Sequence, residues 1–277
     1  MPAFIRILRP LNLFQAALAV LLTTAILGQL QDINSLILLM LSVILINGAG
    51  NVINDIYDID IDRINRPDRP LPSGQMKLST ARVYMFNLFT VGVFCAALIS
   101  LTTFYIAALV ATPLLVAYSF KLKRLPLIGN LVVSFMLGLA FIYVGSAFGK
   151  ISSTLVMAAL AFGFTLIREL VKDLEDMEGD QESDAKTLPL VWGEKRTLIL
   201  TVLIMGVSAI LFLLPSIIGS YTMIYLWIVL FGVDLPMIIA MYLLCKSPGR
   251  KTYGRVQLFL KLDIFIGLVA IYLGWPA

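Results

Sequence analysis

The sequence predicts an all-α membrane protein of nine transmembrane helices, its N-terminus in the cytoplasm, and three features predict it: composition, recurrent apolar runs and the placement of basic residues. Of the 277 residues, 60% are hydrophobic and 14% charged, against roughly 45–50% and about 25% in ordinary soluble domains. Apolar runs recur from end to end, each near the ~20 residues a helix needs to cross ~30 Å of hydrocarbon. Nine such runs can be drawn: Leu11–Leu30, Leu36–Ile53, Val83–Leu101, Phe104–Phe120, Leu127–Phe148, Thr154–Leu170, Leu198–Leu214, Thr222–Leu244 and Val256–Trp275. Short cytoplasmic loops collect Lys and Arg, and an inside N-terminus assigns 19 of the 21 basic residues to that face. The exceptions are Lys150, outside, and Lys261, within the ninth run. All of residues 1–277 then form a single domain.

The first run follows Arg6 and Arg9, as a signal peptide would, but it exceeds a 7–15-residue h-region and lacks a small-residue cleavage pattern, so it reads as helix one. Runs two and six lead into long cytoplasmic loops crowded with both signs of charge. Runs four and eight lead into purely basic ones, Lys121–Arg124 and Lys246–Arg255. That pattern points to a parallel repeat of spans one to four and five to eight, plus a ninth helix. Cys95 and Cys245 form no metal-ligand or disulfide pattern. The net charge of +4 comes from inner-face loops that favour anionic headgroups of membrane lipids. Nothing calls for nucleic acid or for an obligate protein partner.

After span two the chain reads NVINDIYDIDIDRINRPDRPLPSG from Asn51, and after span six RELVKDLEDMEGD from Arg168. Asp55, Asp58 and Asp62 stand at i, i+3 and i+7, and so do Asp173, Asp176 and Asp180. On a helix those intervals share one narrow stripe, which extends back four residues to Asn51 and to Glu169. Each stripe is an oxygen-rich ridge on an extension of a membrane helix. Six aspartates facing a partly shielded space would repel one another, so the pattern calls for cations. Oxygen ligands in a chain with no His select a hard ion such as Mg²⁺, whose remaining positions take water and substrate phosphate. Arg63, Arg66, Arg69, Lys121, Lys123, Arg124 and Lys172 supply the forks and point charges that suit a departing diphosphate. Pro67, Pro70, Pro72 and Gly74 predict a turn-rich lid. Asp60, Asp68, Glu175, Glu178, Glu182 and Asp184 fall off the stripes and read as solvated. Asp234 and Asp263 lie within spans, where a carboxyl is costly and implies function.

At these residues the chain resembles the UbiA superfamily of intramembrane prenyltransferases. Its N-D-x-x-D-x-x-x-D motif stands as Asn54 to Asp62, and its D-x-x-x-D motif as Asp176 to Asp180. The resemblance implies a Mg²⁺-dependent enzyme that moves an isoprenyl group from its diphosphate to a lipid-soluble acceptor, at a site on the cytoplasmic side of a multi-pass protein of the cell membrane. It implies that Asn54, Asp58, Asp62, Asp176 and Asp180 hold metal and diphosphate, with Asp55 and Asp173 assisting. Arg66, Lys121, Lys123 and Lys172 would contact the diphosphate, with either Lys121 or Lys123 as counterpart of a family lysine. The stretch RELVKDLEDMEGD followed by KTLPLVWG looks most like members that add a second geranylgeranyl chain to geranylgeranylglyceryl phosphate in archaeal lipid synthesis. Tyr57, Phe141, Tyr143 and Phe164 offer π-faces to an allylic cation but read first as packing, as do Gly48, Gly50, Gly138 and Gly145. Two alternatives remain: a quinone-pathway enzyme acting on an aromatic acceptor such as 4-hydroxybenzoate, and a cation-coupled transporter, favoured only by Asp234 and Asp263.

Overall fold

The computed structural model describes residues 1–182 and 185–276, without the side chains of Asn65 and Glu182; Asp184 lies outside that set. Among the described residues the chain is helical, with no strand. Eight helices of 20 to 25 residues are apolar enough to cross a membrane. They are α2 (Ile33–Tyr57), α3 (Leu78–Ile99), α4 (Leu101–Phe120), α5 (Ile128–Ala147), α6 (Ile151–Glu175), α7 (Glu194–Ile217), α8 (Met223–Lys246) and α9 (Arg250–Leu273). A shorter apolar helix of 17 residues, α1 (Pro10–Ile26), precedes them. Each of the nine apolar runs thus corresponds to one helix. Along α7 the exposed side chains Ile199, Leu203, Val207, Ile210, Leu214 and Ile217 recur every three or four residues, an apolar stripe that suits lipid rather than water.

Local chemistry sets the helix ends. The Asp32 carboxylate accepts the Ser35 N–H at 3.0 Å to cap α2, and that bond holds the Asp32 pKa below its usual range. One residue separates α3 from α4: Ser100 Oγ accepts the Thr103 N–H at 3.1 Å while Thr103 Oγ1 accepts the Ser100 N–H at 3.0 Å. Leu101, expected at the end of span three, therefore opens span four. Gly249, at φ 147, turns α8 into α9.

Two compact units divide the chain: Met1–Lys123 with Leu139–Leu155, and Arg124–Gly138 with Val156–Ala277. In the first, α2 packs against α1, α3 and α4 around fully buried Leu39, Ala49, Val52, Ala81 and Ala96. A Cβ on Gly92 would meet Ile46 Cγ1 at 2.8 Å, so α3 needs that glycine to lie so close to α2. In the second, buried Tyr225 donates its hydroxyl to the Phe212 carbonyl at 2.7 Å, and Tyr253 donates to Glu194 Oε1 at 2.6 Å.

The repeat read from loop charge has backbone counterparts. Helices α2 and α6 are each 25 residues long and end one residue before Asp58 and Asp176, the middle aspartates of the two triads. In α4 a π-helical turn, Ile106–Ala111, ends two residues before Pro113. In α8 another, Leu230–Asp234, ends two residues before Pro236. Proline removes an amide donor and crowds the carbonyl four residues back, and a wider turn relieves both.

Candidate functional site

The two ridges are bent, where the stripe arithmetic assumed continuous helices. Asp58 has φ −98 and ψ 5 and joins α2 to a short helix, Ile59–Asn65. Asp176 joins α6 to Met177–Glu182. Helical bonding nonetheless passes through both joints. The Asp58 N–H reaches the Asn54 carbonyl at 3.0 Å and the Asp62 N–H that of Asp58 at 2.7 Å, while Asp176 bonds to Lys172 and Asp180 to Asp176, both at 2.9 Å. Each triad so keeps its register while its last aspartate stands on a separate, re-aimed turn.

In the first unit every aspartate of the ridge meets a cation. Asp55 (2% exposed) and Asp62 (5%) are buried. Arg69 bridges them at 3.2 and 2.5 Å, and Arg9 adds a second contact to Asp55 at 2.5 Å. Lys123 donates to Asn54 Oδ1 at 3.0 Å and to Asp58 Oδ1 at 2.5 Å. Lys121 is exposed, so of the two candidate lysines Lys123 is the one joined to the ridge. Arg66 is exposed and forms no ion pair among the described residues. Asn51 lies on the ridge but donates to the Leu8 carbonyl at 2.8 Å, tying down the N-terminal segment.

The second unit carries the other ridge. Glu169, 6% exposed, takes Arg168 at 2.7 Å and Lys172 at 3.4 Å. Asn130 donates to Asp173 Oδ2 at 2.9 Å. Burial pushes the Asp180 carboxyl above the usual range; the Asp176 carboxylate adds to the rise and Lys172 opposes it. Asp176 is exposed.

These donors fit a hard divalent cation. They are carboxylate and amide oxygens, and in the first unit an ammonium bridges Asn54 and Asp58 as a small cation would. Among the described residues no three acidic, His or Cys side chains gather into one ready metal set. An ion here would therefore rely on one or two carboxylates plus water or phosphate, which is the habit of Mg²⁺.

Other sequence-based expectations fall out as follows. Leu71 and Met76, both 5% exposed, anchor the expected lid in the core of the first unit, so it is a packed wall. Of the off-stripe charges Asp60, Asp68 and Glu178 are exposed and Glu175 is half-buried, with exposed pairs Asp60–Arg63 at 2.8 Å and Glu178–Arg250 at 2.7 Å. Phe164 stacks on Phe212 at 6.3 Å, and Tyr143 donates to Ser42 Oγ at 2.7 Å; both are packing residues. A Cβ on Gly138 would lie 2.8 Å from the Ala158 carbonyl, and one on Gly145 2.6 Å from Thr154 Oγ1, so these glycines serve close helix approach. Asp234 and Asp263 are buried, and both oxygens of Asp234 lack a partner. Sequence reasoning passed over Arg9 and Asn130; a lone Asn in an otherwise apolar span was the available signal for the latter.

Residues 13–262 match the model of the UbiA prenyltransferase family. The digeranylgeranylglyceryl phosphate synthase of Thermococcus sibiricus is 41% identical, over 98% of this chain and 96% of its own. The synthase of that name from Methanosphaera stadtmanae is 35% identical over 99% of each. A solved structure concerned with digeranylgeranylglyceryl phosphate synthase superposes with a TM-score of 0.86 at 32% identity, covering 98% of this chain and 97% of that one. A UbiA homologue from Archaeoglobus fulgidus, bound to GPP and Mg²⁺, shares the fold at a TM-score of 0.67 and 18% identity, covering 97% of this chain and 99% of that one.

Proposed function

This chain belongs to the UbiA prenyltransferase family, and from that membership we propose that it moves a geranylgeranyl group from its diphosphate to geranylgeranylglyceryl phosphate. The observation that carries the proposal is the pair of matched ridges, each bent at its middle aspartate, in a chain similar along its whole length to synthases of that product. The protein spans the cell membrane nine times, α1 included, with its N-terminus and both ridges in the cytoplasm; the loop arginines and lysines support that orientation.

Asn54, Asp58, Asp62, Asp176 and Asp180 would hold Mg²⁺, which when bound supplies positive charge to the diphosphate oxygens. The chain's own side chains do the rest. Lys123 joins Asn54 to Asp58 and keeps two ridge oxygens together before substrate arrives. Asp55 and Asp62, locked by Arg69 and Arg9, hold the bent turn in place, and Asn130 orients Asp173. As charge builds on the diphosphate, Lys123 and Lys172 donate to it. The allylic carbon–oxygen bond then breaks, the acceptor hydroxyl oxygen bonds to that carbon, and the hydroxyl proton passes to the departing diphosphate.

The test offers purified protein labelled geranylgeranyl diphosphate, with geranylgeranylglyceryl phosphate and 4-hydroxybenzoate as parallel acceptors. Product from the glycerol phosphate alone is expected. Product from the aromatic acid alone would move the protein to the quinone branch, and no product with either acceptor would overturn the assignment.

A further inference from the structure

The first unit contains a cavity of about 740 Å³ whose charged lining is Arg6, Arg9, Arg66, Arg69, Asp55 and Asp68. We propose that this cavity receives the phosphate of the acceptor lipid, and that Arg6 and Arg66 select acceptors that carry one. The identity of that acceptor rests on the function proposed above; the assignment of the cavity to a phosphate monoester rests on its own residues.

Charge comes first. Four guanidinium groups face two carboxylates, and Arg69 also holds Asp62, which leaves one positive charge over for a phosphate monoester that carries roughly −1.5 to −2 near neutral pH. The arginines also differ in commitment. Arg9 and Arg69 are spent on the buried Asp55 and Asp62. Arg6 donates to the backbone carbonyl of Asp68, which leaves its charge unmatched, and Arg66 forms no ion pair among the described residues. The two uncommitted forks are suited to bidentate phosphate contact without a metal.

The cavity wall is also built rather than incidental. Arg9 adopts φ 55 and ψ 70 directly before Pro10, a left-handed conformation that is rare for a residue with a side chain and further disfavoured before proline. It is held there by its contact to Asp55 and by the N-terminal segment around it. Ile7 is fully buried, the Leu8 carbonyl takes the Asn51 amide at 2.8 Å, and the Phe4 carbonyl takes the Tyr84 hydroxyl at 3.4 Å. A disfavoured backbone fixed by several contacts is a pre-organised one. The donor diphosphate is the poorer match for this cavity. Of the ridge residues only Asp55 lines it, and that carboxylate is already committed to two arginines.

The experiment uses the full-length protein and Arg6→Gln, Arg66→Gln and the double variant. Initial rates are measured with geranylgeranyl diphosphate and either geranylgeranylglyceryl phosphate or the phosphate-free geranylgeranylglycerol. Each single variant should raise the KM for the phosphorylated acceptor on the order of tenfold or more, as expected for a lost hydrogen bond to a charged group. Donor KM and rates with the phosphate-free acceptor should stay unchanged. Equal rises in donor KM, or equal losses with both acceptors, would overturn the proposal. Calorimetric titration with a short-chain alkyl ether of glycerol phosphate in EDTA reads the cavity without turnover, and affinity should fall in both variants. Unchanged affinity there would also overturn it. Should the wild type transfer nothing to the phosphorylated acceptor yet bind this probe through Arg6 and Arg66, the acceptor assignment fails and the phosphate cavity stands.

Discussion

Arg69 should be the most costly single side chain to neutralise in the first ridge. It is 18% exposed and reaches Asp55 at 3.2 Å and Asp62 at 2.5 Å, carboxylates whose side chains are 3% and 7% exposed. In Arg69→Gln, Asp55 keeps Arg9 at 2.5 Å, but Asp62 loses the only ion pair formed with it among the described residues. Removing one partner of a buried pair costs about 3–5 kcal/mol because the other charge is left uncompensated. Partial exposure of the guanidinium and the glutamine amide, which can still donate, bring the expected loss to roughly 2–3 kcal/mol. The assay is reversible unfolding in mixed micelles of rising denaturing-detergent fraction, read by circular dichroism. Arg69→Gln combined with Asp62→Asn should recover about half of the loss, because the stranded charge goes with its partner. A single variant within about 0.5 kcal/mol of wild type, the ordinary range for surface changes, would refute the view that this network holds the ridge.

Other expectations follow from the same geometry. Gly145→Ala places a Cβ 2.6 Å from Thr154 Oγ1 and should cost about 1–3 kcal/mol in the same unfolding assay. Gly267→Ala, with nothing within 4 Å of the new Cβ, should be neutral or gain up to about 1 kcal/mol from helix propensity. Because the Asp180 pKa is raised by burial, the folded metal-free protein binds more protons than the unfolded chain between the ordinary and the raised value. Stability therefore falls as pH rises through that window. Asp180→Asn should consequently stabilise the metal-free protein at neutral pH, with the gain fading below the usual carboxylate range; unfolding midpoints against pH measure it. Lys123→Met should weaken binding of geranylgeranyl diphosphate, measured by equilibrium dialysis with Mg²⁺ present, whereas Lys121→Met should leave it within about twofold if Lys123 is the diphosphate lysine. Arginine or lysine contact to phosphate is worth about 1.5–3 kcal/mol, so the two variants are readily separated.

How much was legible depended on whether the signal was local. Among the described residues eight spans could be read because each needs ~20 apolar residues in sequence, while the first run gives a helix of 17; elsewhere the ends moved, as where Ser100 caps α4 and transfers Leu101 to it. Aspartate spacing could be read because a helix turns it into one face, and residues 54–62 and 176–180 kept that register through their bends. The bends themselves carried no Pro or Gly to announce them. Arg9 could not be tied to Asp55, since 46 residues separate them and no local pattern encodes the contact. Charge counting took Arg6 and Arg9 for topology markers, and in the folded chain they are also walls of a cavity. The two π turns before Pro113 and Pro236 had no signal beyond the prolines themselves, since the wider turn is a backbone response to the missing amide donor.

The central claim is that both aspartate ridges act in breaking the bond to diphosphate, and the most direct test is single-turnover diphosphate release from labelled geranylgeranyl diphosphate in the presence of geranylgeranylglyceryl phosphate and Mg²⁺. Asp58→Asn and Asp176→Asn, which keep shape while removing one charge each, should both slow release by a hundredfold or more, about 3 kcal/mol of transition-state stabilisation, and EDTA should abolish it in the wild type. Release at the wild-type rate from either variant, or undiminished release in EDTA, would contradict the account.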